Sequence, residues 1–178
     1  RWPTVRRFLI FLHDDKPRPV SVTAGVLSFS LTAFDALSPT ALYELLALRQ
    51  LVFSVEQNCA YLDCDGKDLK ALHLLGRQPE GRLVAYARLL PPGACYAEAS
   101  IGRVVNHPEV RRSGVGRMLM QEAIAQLTAA FGPVPIRIGA QQYLRRFYES
   151  FGFVTVSEPY DEDGIPHILM LRSAGLPT

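Results

Sequence analysis

The chain has 178 residues, a net charge near neutral, one tryptophan, three cysteines and no long hydrophobic run. A formal net charge of +2 is too small for the strong positive field of nucleic-acid and anionic-membrane binders. The early apolar run at residues 8–12 falls far short of the roughly 20 residues of a membrane span. It is also too short for the apolar core of a secretory signal. We therefore expect neither nucleic acid nor a membrane as a partner.

The three cysteines lack the features of a metal or nucleophile site. Cys59, Cys64 and Cys95 have no nearby Cys or His pair that would complete a zinc site. They also lack a histidine partner at motif spacing, which argues against a thiol nucleophile. We therefore expect reduced thiols, no metal and a cytoplasmic protein.

The composition is that of one globular domain. Nearly half of the residues are hydrophobic (48%) and a fifth are charged, and the length allows a sizeable core. Residues 1–25 stand apart as a leader of unknown role, in which residues 5–12 could form a strand before two prolines. The domain itself is expected to span residues 26–173.

Apolar periodicity gives the order of the elements. Alternating or continuous apolar stretches predict strands near residues 27–31, 71–75, 82–90, 97–105, 134–138, 153–157 and 165–171. Helical spacing predicts a first helix from the Ser38 cap and Pro39 to Phe53, then helices at 118–131 and 144–151. This order predicts an α/β domain with a mixed, mostly antiparallel sheet flanked by helices.

The most informative motif is Val-Arg-Arg-Ser-Gly-Val-Gly-Arg at residues 110–117. Gly114 and Gly116 allow backbone N–H groups to converge, and a helix N-terminus directly after them favours bound phosphate. Leu119 stands where a dinucleotide motif has its third glycine, and the chain has no Gly-Lys-Ser or Gly-Lys-Thr. A generic nucleotide site is therefore disfavoured, and a basic turn that only caps a helix is the plainer alternative.

Two motifs in this order resemble one family. The Arg-x-x-Gly-x-Gly loop and Phe-Tyr-x-x-x-Gly-Phe at 147–153 resemble the GCN5-related N-acetyltransferases (GNAT), and residues 52–59, 101–104, 139–141 and 160–167 resemble their ElaA-like subgroup. The resemblance covers roughly residues 27–172. It implies the acyl-CoA N-acyltransferase fold, with acetyl-CoA as co-substrate and transfer to a primary amine by direct attack. A non-catalytic acyl-CoA-binding sensor or assembly module is the alternative.

The resemblance also implies roles for individual residues. Tyr148 would be the general acid that protonates the leaving thiolate, and core packing is the alternative. Gln141 stands where many relatives have an asparagine that contacts the coenzyme. The coenzyme-binding residues that the resemblance implies are Val104, Val105, Asn106, Arg111, Arg112, Ser113, Gly114, Val115, Gly116, Arg117 and Gln141.

The sequence does not choose a general base. An alkylamine with a pKa near 10.4 costs about 4–5 kcal/mol to deprotonate at pH 7, so a proton acceptor is expected. Glu56 and His73 are our candidates for contact with the acceptor amine. The candidates for the base are Glu98, Glu56, His73 and His167.

Acidic residues are concentrated in two loops expected beside the acceptor site. They would attract a cationic acceptor, such as a polyamine, aminoglycoside or basic peptide, unless they are simply solvated. A homodimer is a further expectation from the resemblance. The acidic residues are Asp63, Asp65 and Asp68 in one loop and Glu158, Asp161, Glu162 and Asp163 in the other.

Overall fold

The computed structural model describes residues 27–175, which form one mixed sheet of eight strands with helices on both faces. The strands are β1 (Ser28–Ala33), β2 (Leu72–Arg77), β3 (Leu83–Leu90), β4 (Ala99–Asn106), β5 (Ile136–Gln141), β6 (Phe153–Thr155), β7 (Tyr160–Glu162) and β8 (Ile165–Arg172). Their order is β1-β2-β3-β4-β5-β8-β6, and β7 also pairs with β8. The predicted leader lies outside the described residues.

Three α-helices, a π-helical extension and short 3-10 turns connect the strands of the described residues. They are α1 (Pro39–Arg49), α2 (Val115–Phe131) and α3 (Arg145–Glu149), and α1 continues as a π-helix over Gln50–Glu56. The Ser38 side chain accepts a hydrogen bond from the Ala41 N–H at 3.1 Å, so the predicted cap is confirmed. Gly132, at a φ of +81°, ends α2 where the sequence predicted.

Each face of the sheet has its own core. On one side, which we call the α1 face, Leu45 and Leu48 of α1 pack on Leu75, Tyr86 and Val105. On the opposite side, the α2 face, the apolar stripe of α2 packs on alternate residues of the central strands, and Tyr148 of α3 joins this core. The α2 stripe consists of Val115, Leu119, Met120, Ala123, Ile124 and Leu127.

The centre of the sheet opens between β4 and β5. These strands are parallel and pair only at Ala99 with Ile136 and at Ser100 with Arg137. Both strands continue well beyond this pairing, so their carboxyl halves separate and leave a gap through the sheet. The gap determines where a ligand can lie between the two faces.

Two features of the fold differ from the prediction. The segment expected to be only an acidic loop contains β7, a three-residue strand too short and polar to give an apolar signal. The first helix does not continue as a regular α-helix to Phe53, because its last two turns are π-helical. Such segments are frequent at functional sites.

Candidate active site

A cavity of about 760 Å³ occupies the gap between β4 and β5. It extends from the glycine loop before α2, past β4 residues Ile101–Asn106, to the β7–β8 turn. Among the predicted site residues, its lining includes Val104, Val105, Asn106, Arg111, Arg112, Gly114, Gly116, Arg117, Gln141, Glu56 and Tyr148. The fold therefore brings most of the predicted site to one surface.

The glycine loop has the backbone that its sequence implies. Arg112 and Gly114 have φ values of +63° and +89°, and α2 begins directly after Gly114. Backbone N–H groups of a first helical turn lack partners within the helix, so they can bind an anion. Two predicted residues turn elsewhere: Ser113 Oγ donates to the Val110 carbonyl at 2.6 Å, and Val115 is buried in the core.

Asn106 and Gly116 meet where the phosphate loop joins the strand gap. A Cβ on Gly116 would lie 2.9 Å from the Asn106 Nδ2, so only glycine leaves the amide in place. Asn106 Oδ1 is buried and has no hydrogen-bond partner within residues 27–175. A buried acceptor without a donor is costly in a folded protein, and it lines the cavity where a ligand N–H could reach it.

A bulge turns the backbone of β4 at the centre of the cavity. Tyr86 pairs with Val105 and Arg88 pairs with Gly102, so two steps on β3 oppose three on β4. Arg103, at a φ of +51°, is the residue with left-handed backbone in this bulge. The extra residue disrupts regular pairing with β3 beside Val104.

Tyr148 lies at the α2-face side of the cavity. Its side chain is 7% exposed and packs edge-on against Phe147 and Phe153. Burial raises its pKa to about 12, so the phenol stays protonated at neutral pH. Its hydroxyl has no hydrogen-bond partner in the described part of the chain, and Tyr148 lines the cavity, so the hydroxyl is free to donate to a ligand there.

The α1-face side of the cavity is polar and aromatic. Gln141 donates to Gln57 at 3.2 Å and accepts from the Tyr143 hydroxyl at 2.6 Å. It pairs across strands with His167, which in turn pairs with Tyr160. A Cβ on Gly139 would be 3.2 Å from the Tyr160 hydroxyl and 3.6 Å from that of Tyr96, so two phenols converge over β5.

Glu56 is held by Arg111 at the edge of the cavity. The two side chains form a bidentate ion pair, with one N–O distance of 2.7 Å. Hydrogen bonding from Arg111 lowers the pKa of Glu56, so its carboxylate stays ionised. Glu56, predicted to contact the acceptor amine, and Arg111, predicted to bind the coenzyme, therefore bind each other in this structure.

His73 lies in the core rather than on the cavity, and this corrects its assignment to substrate. The Nε2–H donates to the Asp68 carbonyl at 3.0 Å, and Nδ1 accepts from the Tyr86 hydroxyl at 2.8 Å. Burial lowers its pKa and favours the neutral ring. Because both ring nitrogens are bonded inside the protein, His73 has no free lone pair for an amine.

The first acidic loop is neutralised internally, so it does not attract an acceptor as predicted. Arg49 of α1 binds Asp63 at 2.8 Å and Asp68 at 2.9 Å. The Asp65 carboxylate accepts from Nη1 and Nη2 of Arg88, and Arg103 Nε donates to Asp63 at 2.6 Å. Arg103 also packs on Phe53 and Tyr61, so the loop fixes the aromatic wall of the cavity.

Glu98 is not a base in this arrangement. Both of its carboxylate oxygens accept from Arg137, at 2.9 and 2.7 Å, and it lies outside the cavity lining. The hydrogen bonds from Arg137 lower its pKa to about 2, so it does not take up a proton near neutral pH. The bulge between Gly102 and Val105 also breaks the side-chain alternation that would relate Glu98 to Val104 on β4.

The second acidic loop does reach the cavity. Glu162 and Asp163 line it beside Tyr96 and His167, and neither forms an ion pair within residues 27–175. The exposed Asp161 instead accepts from the Gly164 N–H at 3.1 Å. Sequence reasoning missed Gln57, Tyr96 and Tyr160 as site residues. Gln57 and Tyr160 lie in the ElaA-like motifs at 52–59 and 160–167, which were the available signal, whereas Tyr96 lies in none of the motifs.

The described residues hold three free cysteines, of which Cys59 and Cys95 line the cavity. No cluster of His, Cys, Asp or Glu within residues 27–175 could hold a metal ion. In the same range, no helix has the length and hydropathy needed to cross a membrane.

Comparisons with known proteins agree on one family. The model of the acetyltransferase (GNAT) domain matches residues 50–173. The ElaA protein of Escherichia coli is 46% identical over 138 residues, covering 76% of this chain and 90% of ElaA. A UPF0039 protein of Synechocystis is 43% identical over 145 residues, covering 82% of this chain and 94% of the Synechocystis protein.

Solved structures give the same result for the fold. An acyl-CoA N-acyltransferase from Pseudomonas aeruginosa superposes with a TM-score of 0.79 at 39% identity, covering 83% of this chain and all of that one. The crystal structure of Escherichia coli ElaA gives a TM-score of 0.78 at 42% identity, and the superposition covers 83% of this chain and all of the ElaA chain. The predicted α/β fold with a mixed sheet is therefore confirmed.

Proposed function

Because this chain belongs to the GNAT acetyltransferase family, in its ElaA-like subgroup, we propose that it transfers the acetyl group of acetyl-CoA to a primary amine by direct attack. Membership of the family supports acyl transfer in general. The observation that carries the finer proposal is one cavity that joins the glycine loop to the Tyr148 hydroxyl through the gap between β4 and β5.

The residues on this cavity suit acetyl-CoA in three ways. The loop at 112–116 can bind the pyrophosphate through backbone N–H groups, and Arg112 and Arg117 add positive charge. Asn106 Oδ1, which has no hydrogen-bond partner in the part of the chain that the structure describes, can accept from an amide of the pantetheine arm. The separated edge of β4 can pair with that arm as a further strand would. When bound, acetyl-CoA supplies the activated acyl group.

Tyr148 has the state and position of a proton donor to the leaving sulfur. Its phenol is protonated at neutral pH with or without the raised pKa, and the surrounding aromatic rings exclude water. Backbone N–H groups at Val104 and Val105 would face the thioester oxygen, where a preorganised donor is worth about 3–4 kcal/mol. No residue of the chain needs to carry the acetyl group.

A thiol-release assay with acetyl-CoA and simple amines tests this function. Tyr148→Phe should lower kcat by about 10²–10⁴-fold, because general acids contribute that much, while acetyl-CoA binding stays within twofold. Tyr43→Phe is the matched control, since Tyr43 is 76% exposed on α1 and should keep full activity. Full activity in Tyr148→Phe would refute the role of the phenol. Acetyl-CoA binding without thiol release for any amine would favour a binding module.

The acceptor and the compartment are part of the same proposal. We propose a small amine or a basic peptide as acceptor, supported by Glu162 and Asp163 on the cavity, which form no ion pair among residues 27–175. We also propose a cytoplasmic enzyme, supported by its free thiols Cys59, Cys64 and Cys95 and by its need for acetyl-CoA.

A further inference from the structure

His167 is a histidine on the cavity with one ring nitrogen fixed and the other free. Its Nδ1 lies 2.8 Å from the Ile165 carbonyl oxygen, which can only accept, so Nδ1 carries the hydrogen. In the neutral ring Nε2 then holds the lone pair, and it has no hydrogen-bond partner among residues 27–175. This is the tautomer that a proton acceptor requires.

The strand register places His167 on the face of the sheet opposite Tyr148. Ile138 and Ala140 of β5 belong to the α2-face core, so Gln141 points to the α1 face, where it contacts Gln57. His167 is directly paired with Gln141 and shares its face, whereas its neighbour Ile168 joins the α2-face core. Both His167 and Tyr148 nevertheless line the same cavity, because the gap between β4 and β5 connects the two faces.

The other candidates for the general base are bound to groups of the protein. Glu56 is bound to Arg111, Glu98 is bound to Arg137, and both nitrogens of His73 are bonded in the core. The titratable groups near His167 in the cavity are Tyr160 and Glu162 of β7, Asp163 in the following turn, Tyr143 after β5 and Tyr96 before β4. The carboxylates of Glu162 and Asp163 can hold the ammonium form of an amine at this end of the cavity.

We propose that the α1-face half of the cavity binds the acceptor amine and that His167 is its general base, which rests on the proposed acetyl transfer. The bound ammonium first gives one proton to Nε2 of His167, and the neutral amine nitrogen then forms its bond to the acyl carbon. The C–S bond breaks, its electron pair stays on sulfur, and that sulfur takes the proton of Tyr148. The second proton on the new amide nitrogen restores the phenol, and water removes the proton from His167, so an ammonium and the thioester give amide, thiol and one proton.

Two probe amines separate a base from a residue that only orients the acceptor. Benzylamine is almost wholly protonated at pH 7, whereas methoxyamine is a much weaker base and is mostly neutral there. His167→Gln should therefore lower kcat/KM for benzylamine by about 10²-fold or more and for methoxyamine by less than tenfold. The pH profile for benzylamine should lose its imidazole limb in the variant, and the thermal shift with acetyl-CoA should persist.

His107→Asn is the matched control. His107 lies outside the cavity and caps the turn Pro108–Val110, a position in which asparagine can serve equally well. Equal loss with both amines, or an unchanged pH profile in His167→Gln, would overturn the base assignment while acetyl transfer stands. A wild-type protein that releases no thiol with either amine would overturn acetyl transfer and the base together.

Discussion

Asp68→Asn should destabilise the protein strongly, because Asp68 balances two buried guanidinium groups. Its Oδ1 lies 2.9 Å from Arg49 and 3.0 Å from Arg88, whose side chains are 0% and 4% exposed. Removing one partner of a buried ion pair costs about 3–5 kcal/mol. The asparagine keeps the shape and one acceptor, so we expect the lower end of this range. For a chain of this size, ~3 kcal/mol corresponds to a fall in Tm of about 6–12 °C.

Urea unfolding at low and high salt measures this effect. The loss of unfolding free energy in Asp68→Asn should be nearly independent of salt, because the ion pairs are buried. Glu158→Gln, in the exposed second loop, is the control and should change stability by less than about 0.5 kcal/mol. Burial would raise the pKa of Asp68, but hydrogen bonds and charge from the two arginines lower it overall. Because the pKa is lower in the folded state, the ionised carboxylate stabilises the fold above about pH 4. This stabilisation is lost as the pH falls through the folded-state pKa, where the stabilities of the wild type and the variant should converge.

A stable Asp68→Asn protein with reduced, salt-sensitive kcat/KM would refute this reasoning. That result would mean that the carboxylate attracts the acceptor through solvent, as the sequence alone suggested. The structure predicts the opposite result: stability should change strongly, while the cavity charge at Glu162 and Asp163 should stay unaltered.

Two further predictions concern the glycine loop and the buried histidine. Gly114→Val should abolish the thermal shift with acetyl-CoA. Gly81 lies outside the cavity at an almost identical φ of +90°, so Gly81→Val should reproduce only the backbone strain of about 1–2 kcal/mol. Equal acetyl-CoA shifts in both variants would contradict the loop assignment. Because burial lowers the pKa of His73, the unfolded chain binds its proton first, so stability should fall as the pH decreases below about 6.5. Urea midpoints at pH 7 and 5 check this, with His73→Gln losing part of the slope, and equal wild-type midpoints would contradict it.

The start of α1, the buried stripe of α2 and the glycine loop could be predicted because their signals are local. The capping serine, the apolar spacing of α2 and the two glycines each act within a few residues of the chain. The acidic loop could not be predicted, because Arg49, Arg88 and Arg103 come from three separate elements that meet only in the folded sheet. A charge run carries no information about such distant partners.

The histidines illustrate the same limit. His73 and His167 both lie on strands with apolar neighbours, and this local pattern alone does not distinguish a core histidine from a cavity histidine. Pairing with β3 places the Tyr86 hydroxyl against His73, whereas pairing with β5 places His167 beside Gln141 on the cavity. The difference between a core residue and a candidate base is therefore set by register, which is a property of strand partners.

A thermal-shift titration with acetyl-CoA, with ATP as the control, tests the central claim most directly. Acetyl-CoA at about 100 times its Kd should add about 2.7 kcal/mol, or roughly 5–11 °C in Tm for a chain of this size. We predict a saturable shift with acetyl-CoA and none with ATP. An equal shift with ATP, or no shift with acetyl-CoA, would contradict the assignment of this cavity to an acyl-coenzyme A.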